Sequence, residues 1–129
     1  MPNWVNNDVY IKANDEDLRA FADKHIVNGN FDFATIIPWN TELTEEEYHG
    51  TEEIKLRDGS IAYTGGKWYE WNNENWGTKW NAHQTNVEVF LETGFLCFDT
   101  PWSPPVGIMD ALAKMYPNFD IEWKYIEEQ

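Results

Sequence analysis

Val87-Glu88-Val89-Phe90-Leu91-Glu92-Thr93-Gly94-Phe95-Leu96-Cys97-Phe98 is the stretch that decides the fold. Val87, Val89 and Leu91 point to one side of an extended chain, Thr93-Gly94 offers the turn and Phe95 to Phe98 runs back, so the stretch reads as a central β-hairpin. The same pair of elements flanks it on either side. Beyond it, Ser103-Pro104-Pro105 opens a helix, with the serine as cap and proline in the first turn, where no N–H is missed. Ile108, Ala111, Leu112 and Met115 are its apolar stripe and Pro117 ends it. Phe119, Ile121, Trp123 and Tyr125 then alternate with Asp120, Glu122 and Lys124 as a last strand. Before it, Trp4 to Ala13 carries Val9 and Ile11 opposite Tyr10 and Lys12, a first strand. Asn14 caps a helix whose first turn is Asp15-Glu16-Asp17 and whose stripe is Leu18, Phe21, Ala22 and His25, stopped by Asn28-Gly29-Asn30. His25 reads there as a half-buried packing residue.

With residues 31–82 set aside, the order is strand, helix, strand, strand, helix, strand. That predicts an α+β fold of the ferredoxin-like, split βαβ kind: one domain over 1–129, an antiparallel sheet with two helices on one face, and an insertion at about 31–82. Within the insertion, Phe31 to Pro38 reads as a packed extended segment. Glu42 to Glu53 reads as a solvated loop or short helix. Residues 53–57 and 60–64 alternate about Asp58-Gly59 as a hairpin. Four of the eight tryptophans fall between Trp68 and Trp80. On a helix, Trp71, Asn75, Trp68, Asn72, Trp76 and Tyr69 share one face, with Glu70 and Glu74 opposite and Gly77 ending it. The amides of Asn72 and Asn75 on that face need partners. The inserted hairpin and Trp helix are expected to cover the sheet face that the two helices leave bare.

The length and the 42% apolar composition suit a single core. No apolar run approaches a membrane span and the N-terminus lacks a signal-peptide pattern, so no membrane partner and a cytoplasmic location, the host cell cytosol, are expected. The lone Cys97 lies in an apolar run and reads as a buried thiol. Nine Lys and Arg against 23 Asp and Glu give a net charge of −14, which repels phosphate backbones and argues against direct nucleic-acid binding. Such a surface suits a basic partner, although acidity also serves solubility alone.

Several blocks resemble the YubB-type ferredoxin-like domain family, small accessory proteins of phages, plasmids and prophages. They are Met1-Pro2-Asn3-Trp4 with Asn7, Val9 and Ile11, and Phe31-Asp32-Phe33 with Ile36-Ile37-Pro38. Further along come Trp68-Tyr69, Trp71 and Asn75-Trp76-Gly77-Thr78-Lys79-Trp80, then Phe98, Thr100 and Trp102-Ser103-Pro104-Pro105. The chain departs from the family pattern at Val5, at Trp39 and in the acidic run. The resemblance implies a ferredoxin-like fold and a mobile-element origin, and it implies no reaction.

For chemistry, His25, His49 and His83 are isolated, Cys97 is alone and Gly65-Gly66 lacks the setting of a phosphate cradle, so no catalytic residue, metal or cofactor is assigned. A free amine at Pro2, were Met1 removed, is the one proton-transfer group on offer, and a proline at the start of an edge strand is the plainer reading. Two functions remain. The first is a non-enzymatic binder of a host protein, itself basic or nucleic-acid-binding, with a defence or nucleic-acid-handling complex as the expected target. Its surface is Glu42, Glu45, Glu46, Glu47, Glu52 and Glu53, beside an aromatic site of Trp68, Trp71, Asn75, Trp76, Lys79, Trp80 and Trp102. The alternative is a small-molecule or nucleotide site lined by those tryptophans. Oligomeric state has no signal in the sequence.

Overall fold

The computed structural model describes residues 3–127, which leaves the Pro2 amine outside the described residues. Strand β1 is Trp4–Lys12, and helix α1 is Asp15–His25, begun by Asn14, whose Oδ1 accepts from the Asp17 amide at 2.8 Å. A short hairpin follows, β2 (Ile26–Val27) and β3 (Asn30–Phe31), then 3-10 turns at Phe33–Thr35 and Trp39–Thr41. The segment from Phe31 to Pro38 is therefore coiled where an extended run was expected. Asp32 is the cause: its carboxylate accepts from the Ala34 amide and its carbonyl from the Thr35 hydroxyl, an arrangement that favours a turn. Helix α2 (Glu45–His49), hairpin β4 (Glu52–Lys55) with β5 (Ile61–Thr64), and helix α3 (Trp68–Asn75) complete the insertion. After them come β6 (His83–Asn86), a helical turn α4 (Phe90–Thr93), β7 (Phe95–Pro101), α5 (Val106–Met115) and β8 (Asp120–Glu127).

The main sheet has the order β6-β7-β1-β8, antiparallel throughout. This is the split βαβ arrangement, and the fold is ferredoxin-like. Val5, Asn7, Val9 and Ile11 of β1 point inward, opposite Thr100, Phe98 and Leu96 of β7 and Trp123 and Ile121 of β8. Leu18 and Phe21 of α1 and Ile108 and Leu112 of α5 close over that face in one continuous core. The inward polar groups are paired: Asn7 donates to Thr100 Oγ1 at 3.1 Å and accepts from the Trp123 indole at 3.1 Å.

The insertion lies on the helix side of the sheet, not on the bare side as expected. Phe33 sits 5.6 Å from both Phe98 and Trp76, and Phe31 sits 5.4 Å from Phe98. The physical reason is in the strands. Their outward residues include Asn6, Asp8, Lys12, Glu122 and Lys124, which keep water, while the inward surface of Phe98 and Trp123 exceeds what two short helices cover. Apart from one edge, where the Trp80 ring of the insertion comes within 6.0 Å of the Trp4 ring, centroid to centroid, that outward face stays open, and Cys97 is on it, half-buried opposite Asp8 rather than in the core. Burial pushes its thiol pKa up, and the carboxylates of Asp8 and Asp99 add to this.

Three local readings change in the same way. Val87 to Leu91 is no strand: Phe90 is 1% exposed against 46% for Val89 and 43% for Leu91. A helical turn delivers the Phe90 ring to Phe21, 5.6 Å away, and one buried phenyl outweighs two exposed aliphatics. Ser103 caps no helix, since its hydroxyl donates to the Gly77 carbonyl at 2.6 Å. Helix α5 instead directs the amides of Gly107 and Ile108 at the Trp76 carbonyl, at 3.1 and 3.4 Å, so the C-terminal end of α3 caps its N-terminal end. Met115 and Tyr125, expected at the inner ends of their stripes, are exposed where each element outruns the core.

His25 is fully buried instead of half-buried. Its Nδ1 is 2.8 Å from Thr35 Oγ1 and its Nε2 2.6 Å from the Tyr116 hydroxyl. Because the Thr35 hydroxyl already donates to the Asp32 carbonyl, it accepts from Nδ1–H, and Tyr116 donates to Nε2, which assigns the neutral tautomer. Burial, with Lys24 nearby, lowers the His25 pKa to about 4. Among the described residues no helix is long and apolar enough to cross a membrane.

Candidate functional site

Helix α3 and the residue that caps its C-terminal end turn two tryptophans into structure. Trp71 and Trp76 are buried; the Trp71 indole donates to Glu42 Oε2 at 2.8 Å and the Trp76 indole to the Ile37 carbonyl at 2.9 Å. Asn72, also buried, accepts from the Tyr48 hydroxyl at 2.7 Å and donates to the Lys79 carbonyl at 2.7 Å, and Asn75 donates to the Trp71 carbonyl at 3.0 Å. The amides that had to find partners have them. Tyr69 faces solvent, one step beyond the face it was expected to share.

In front of this wall is a cleft of about 410 Å3. Trp39, Tyr48, Trp68, Trp76 and Trp80 supply its rings and Asn72 its one buried amide. Trp39 and Tyr48 stack with centroids 4.5 Å apart and planes 9° from parallel. Of the expected aromatic site, Trp68, Trp76 and Trp80 meet here. Trp71 backs the wall from the core, Asn75 lies behind it, and the Lys79 ammonium sits 4.5 Å from the Trp80 ring centroid. Trp102 lies elsewhere: it is exposed, in the left-handed region at φ +67°, with its amide bound to the Asn3 carbonyl at 2.7 Å.

A second groove, of about 500 Å3, adjoins the cleft and shares His49 and Tyr63 with it. Its acidic side is Glu45 and Glu46 of α2, and its far side is the β4–β5 hairpin. The hairpin is held to the end of α2 by backbone against backbone: a side chain on Gly66 would lie 2.2 Å from the Tyr48 carbonyl oxygen, so only glycine allows the crossing.

The acidic residues thus divide by role. Glu42 is tied to the Trp71 indole. Glu47 closes a capping box with Thr44, whose amide and hydroxyl bonds hold its carboxyl below the usual range. Glu45 and Glu46 line the groove, and neither is in an ion pair; the salt bridges among the described residues, Lys12–Asp120 and Lys114–Asp110, lie elsewhere. Glu52 and Glu53 are exposed on β4 and line neither recess.

Trp39, Tyr48, His49 and Tyr63 were not singled out as site residues from sequence. One signal was available for Tyr48, the single aromatic in the run Thr44 to His49, since an isolated ring among glutamates marks the inward side of a helix. Among the described residues no group of three or more His, Cys, Asp or Glu could hold a metal ion.

No curated protein and no solved structure matches the chain. Residues 75–129, running from the last residue of α3 through β8, match a family model described as a ferredoxin-like domain in Api92-like protein. With the strand order of the whole sheet, that match makes the chain a ferredoxin-like α+β protein.

Proposed function

We propose that this is a non-enzymatic binding protein whose partner is a basic protein, engaged through the groove of Glu45 and Glu46 and the aromatic cleft beside it. The observation that supports it best is the continuity of the two recesses: carboxylates without ion-pair partners lead directly into a cleft of ring faces. The net charge of −14 extends the attraction and speeds encounter with a cationic surface. With the YubB-type resemblance, the reading becomes an accessory protein of a phage, plasmid or prophage, acting in the host cytosol on a host defence or nucleic-acid-handling complex. A cleft of about 410 Å3 is also in the range of small-ligand sites, which keeps a small-molecule or nucleotide ligand as the second reading. An anionic nucleotide meets an unfavourable field there, with Lys79 already engaged on Trp80. The test is affinity capture from host lysate with the parent and with Glu45→Gln/Glu46→Gln, followed by salt-dependent binding of each purified candidate. A basic protein whose association slows and loses salt dependence in the double variant supports the reading. Retention of the same proteins by both chains with equal salt slopes overturns it.

A further inference from the structure

We infer that the aromatic cleft takes a guanidinium group, from an arginine in an extended basic segment, while Glu45 and Glu46 hold a neighbouring cation across the His49–Tyr63 rim. This rests on the reading of the site as a surface for a basic protein, and it names the side chain that the site selects.

The polar inventory of the cleft carries the inference. Asn72 already uses its oxygen for Tyr48 and its nitrogen for Lys79. Asn81, at the margin, accepts from the amides of Phe33 and Ala82 and donates to Asp32. These amides are committed to the fold, which leaves the indole N–H groups of Trp39, Trp68 and Trp80 and the His49 and Tyr63 side chains, a thin set against the hydration and the net charge of −14 that a phosphate or carboxylate would have to overcome. Ring faces are the larger part of what remains on offer. A cation is drawn to the negative face of an indole or phenol, and Trp80 already holds one, the Lys79 ammonium, at 4.5 Å.

Planarity then selects among cations. Trp39 and Tyr48 are stacked on one another with centroids 4.5 Å apart and leave no room between them, so the faces left for a ligand are the outer side of Trp39 and those of Trp68 and Trp80 at the mouth. A guanidinium stacks flat on such rings and sheds water more readily than an ammonium, so arginine is favoured over lysine. The adjoining groove needs no planarity. Residues of an extended chain advance about 3.3 Å each, so side chains one or two positions apart reach both recesses, and Glu45 and Glu46 accept either kind of cation.

The probes are hexa-arginine and hexa-lysine amides, titrated at low salt against the parent, Trp68→Leu, Trp80→Leu and Glu45→Gln/Glu46→Gln. Tryptophan fluorescence and calorimetry read binding, and a thermal melt checks each chain. The parent should bind hexa-arginine about tenfold more tightly than hexa-lysine. Trp68→Leu and Trp80→Leu should each shrink that preference and barely change hexa-lysine binding, whereas the glutamate variant should weaken both peptides alike. Trp80 is exposed at the rim, so Trp80→Leu decides the matter should Trp68→Leu melt early. Equal binding of the two peptides by the parent, or an arginine preference that survives in Trp80→Leu, overturns the inference and leaves the acidic-surface reading standing. If neither peptide binds, both fail.

Discussion

The phenolic hydroxyl of Tyr48 donates to Asn72 Oδ1 at 2.7 Å, and this buried bond ties the acidic helix α2 to the Trp helix α3. It fixes one wall of the cleft to the helix that carries the carboxylates. In Tyr48→Phe the ring stays and the amide oxygen loses its donor, at a cost of about 1 to 3 kcal/mol. Urea unfolding measures this, and a loss below a few tenths of a kcal/mol would mean that the amide finds water instead.

Gly107 is the point where α5 meets α3. A side-chain carbon there would fall 1.9 Å from the Asn75 carbonyl oxygen. Alanine in a helix normally gains about 0.5 to 1 kcal/mol over glycine, but a clash with backbone costs more, so Gly107→Ala should destabilise by roughly 1 to 3 kcal/mol. The sign of the melting shift decides the matter.

The buried His25 makes stability depend on pH. Its pKa is about 4 in the fold against 6.5 when unfolded, so between those values the unfolded chain binds more protons. Its contribution is complete above pH 6.5 and is lost as pH falls toward 4, on the order of 3 kcal/mol in all. Carboxylates titrate in the same range, so the readout is the difference between the parent and His25→Gln in urea unfolding at pH 7 and pH 4.5. The parent should lose more. Equal losses would place the imidazolium in the fold without penalty.

Cys97 behaves as its position on the outward sheet face dictates. Cys97→Ser should change stability by less than about 0.5 kcal/mol, as at other part-exposed sites, and not by the larger amount that a core thiol would give. Thiol labelling should be slow at neutral pH and quicken as pH rises, because burial and the Asp8 and Asp99 carboxylates raise its pKa. Rapid labelling at pH 7 contradicts this.

The ferredoxin-like order was legible where alternation and capping agreed. Val9 and Ile11 lie directly opposite Trp123 and Ile121, and Asn14 caps α1 as its spacing implied. It failed at Val87 to Leu91, where an aliphatic alternation competed with one phenylalanine and the tertiary contact of Phe90 with Phe21 prevailed. Half of the candidate site was legible, since a cluster of tryptophans and a run of glutamates stand out in any reading. The rest was not, because the cleft is closed by Trp39 and Tyr48, which come from elements 20 or more residues before α3 and meet it only through the folded insertion. Nor could composition tell Glu42 and Glu47, bound to an indole and a helix cap, from Glu45 and Glu46, which line the groove without an ion-pair partner.

The most direct test of the binding surface is a two-dimensional NMR titration of the labelled protein with hexa-arginine amide at low salt. Signals of Glu45, Glu46, Tyr48 and His49, with the indole N–H groups of Trp68 and Trp80, should shift together and saturate. Tyr10, Phe95 and Lys124 on the open sheet face should stay in place. Shifts centred on that sheet face, with the α2 and α3 signals unmoved, would contradict the account.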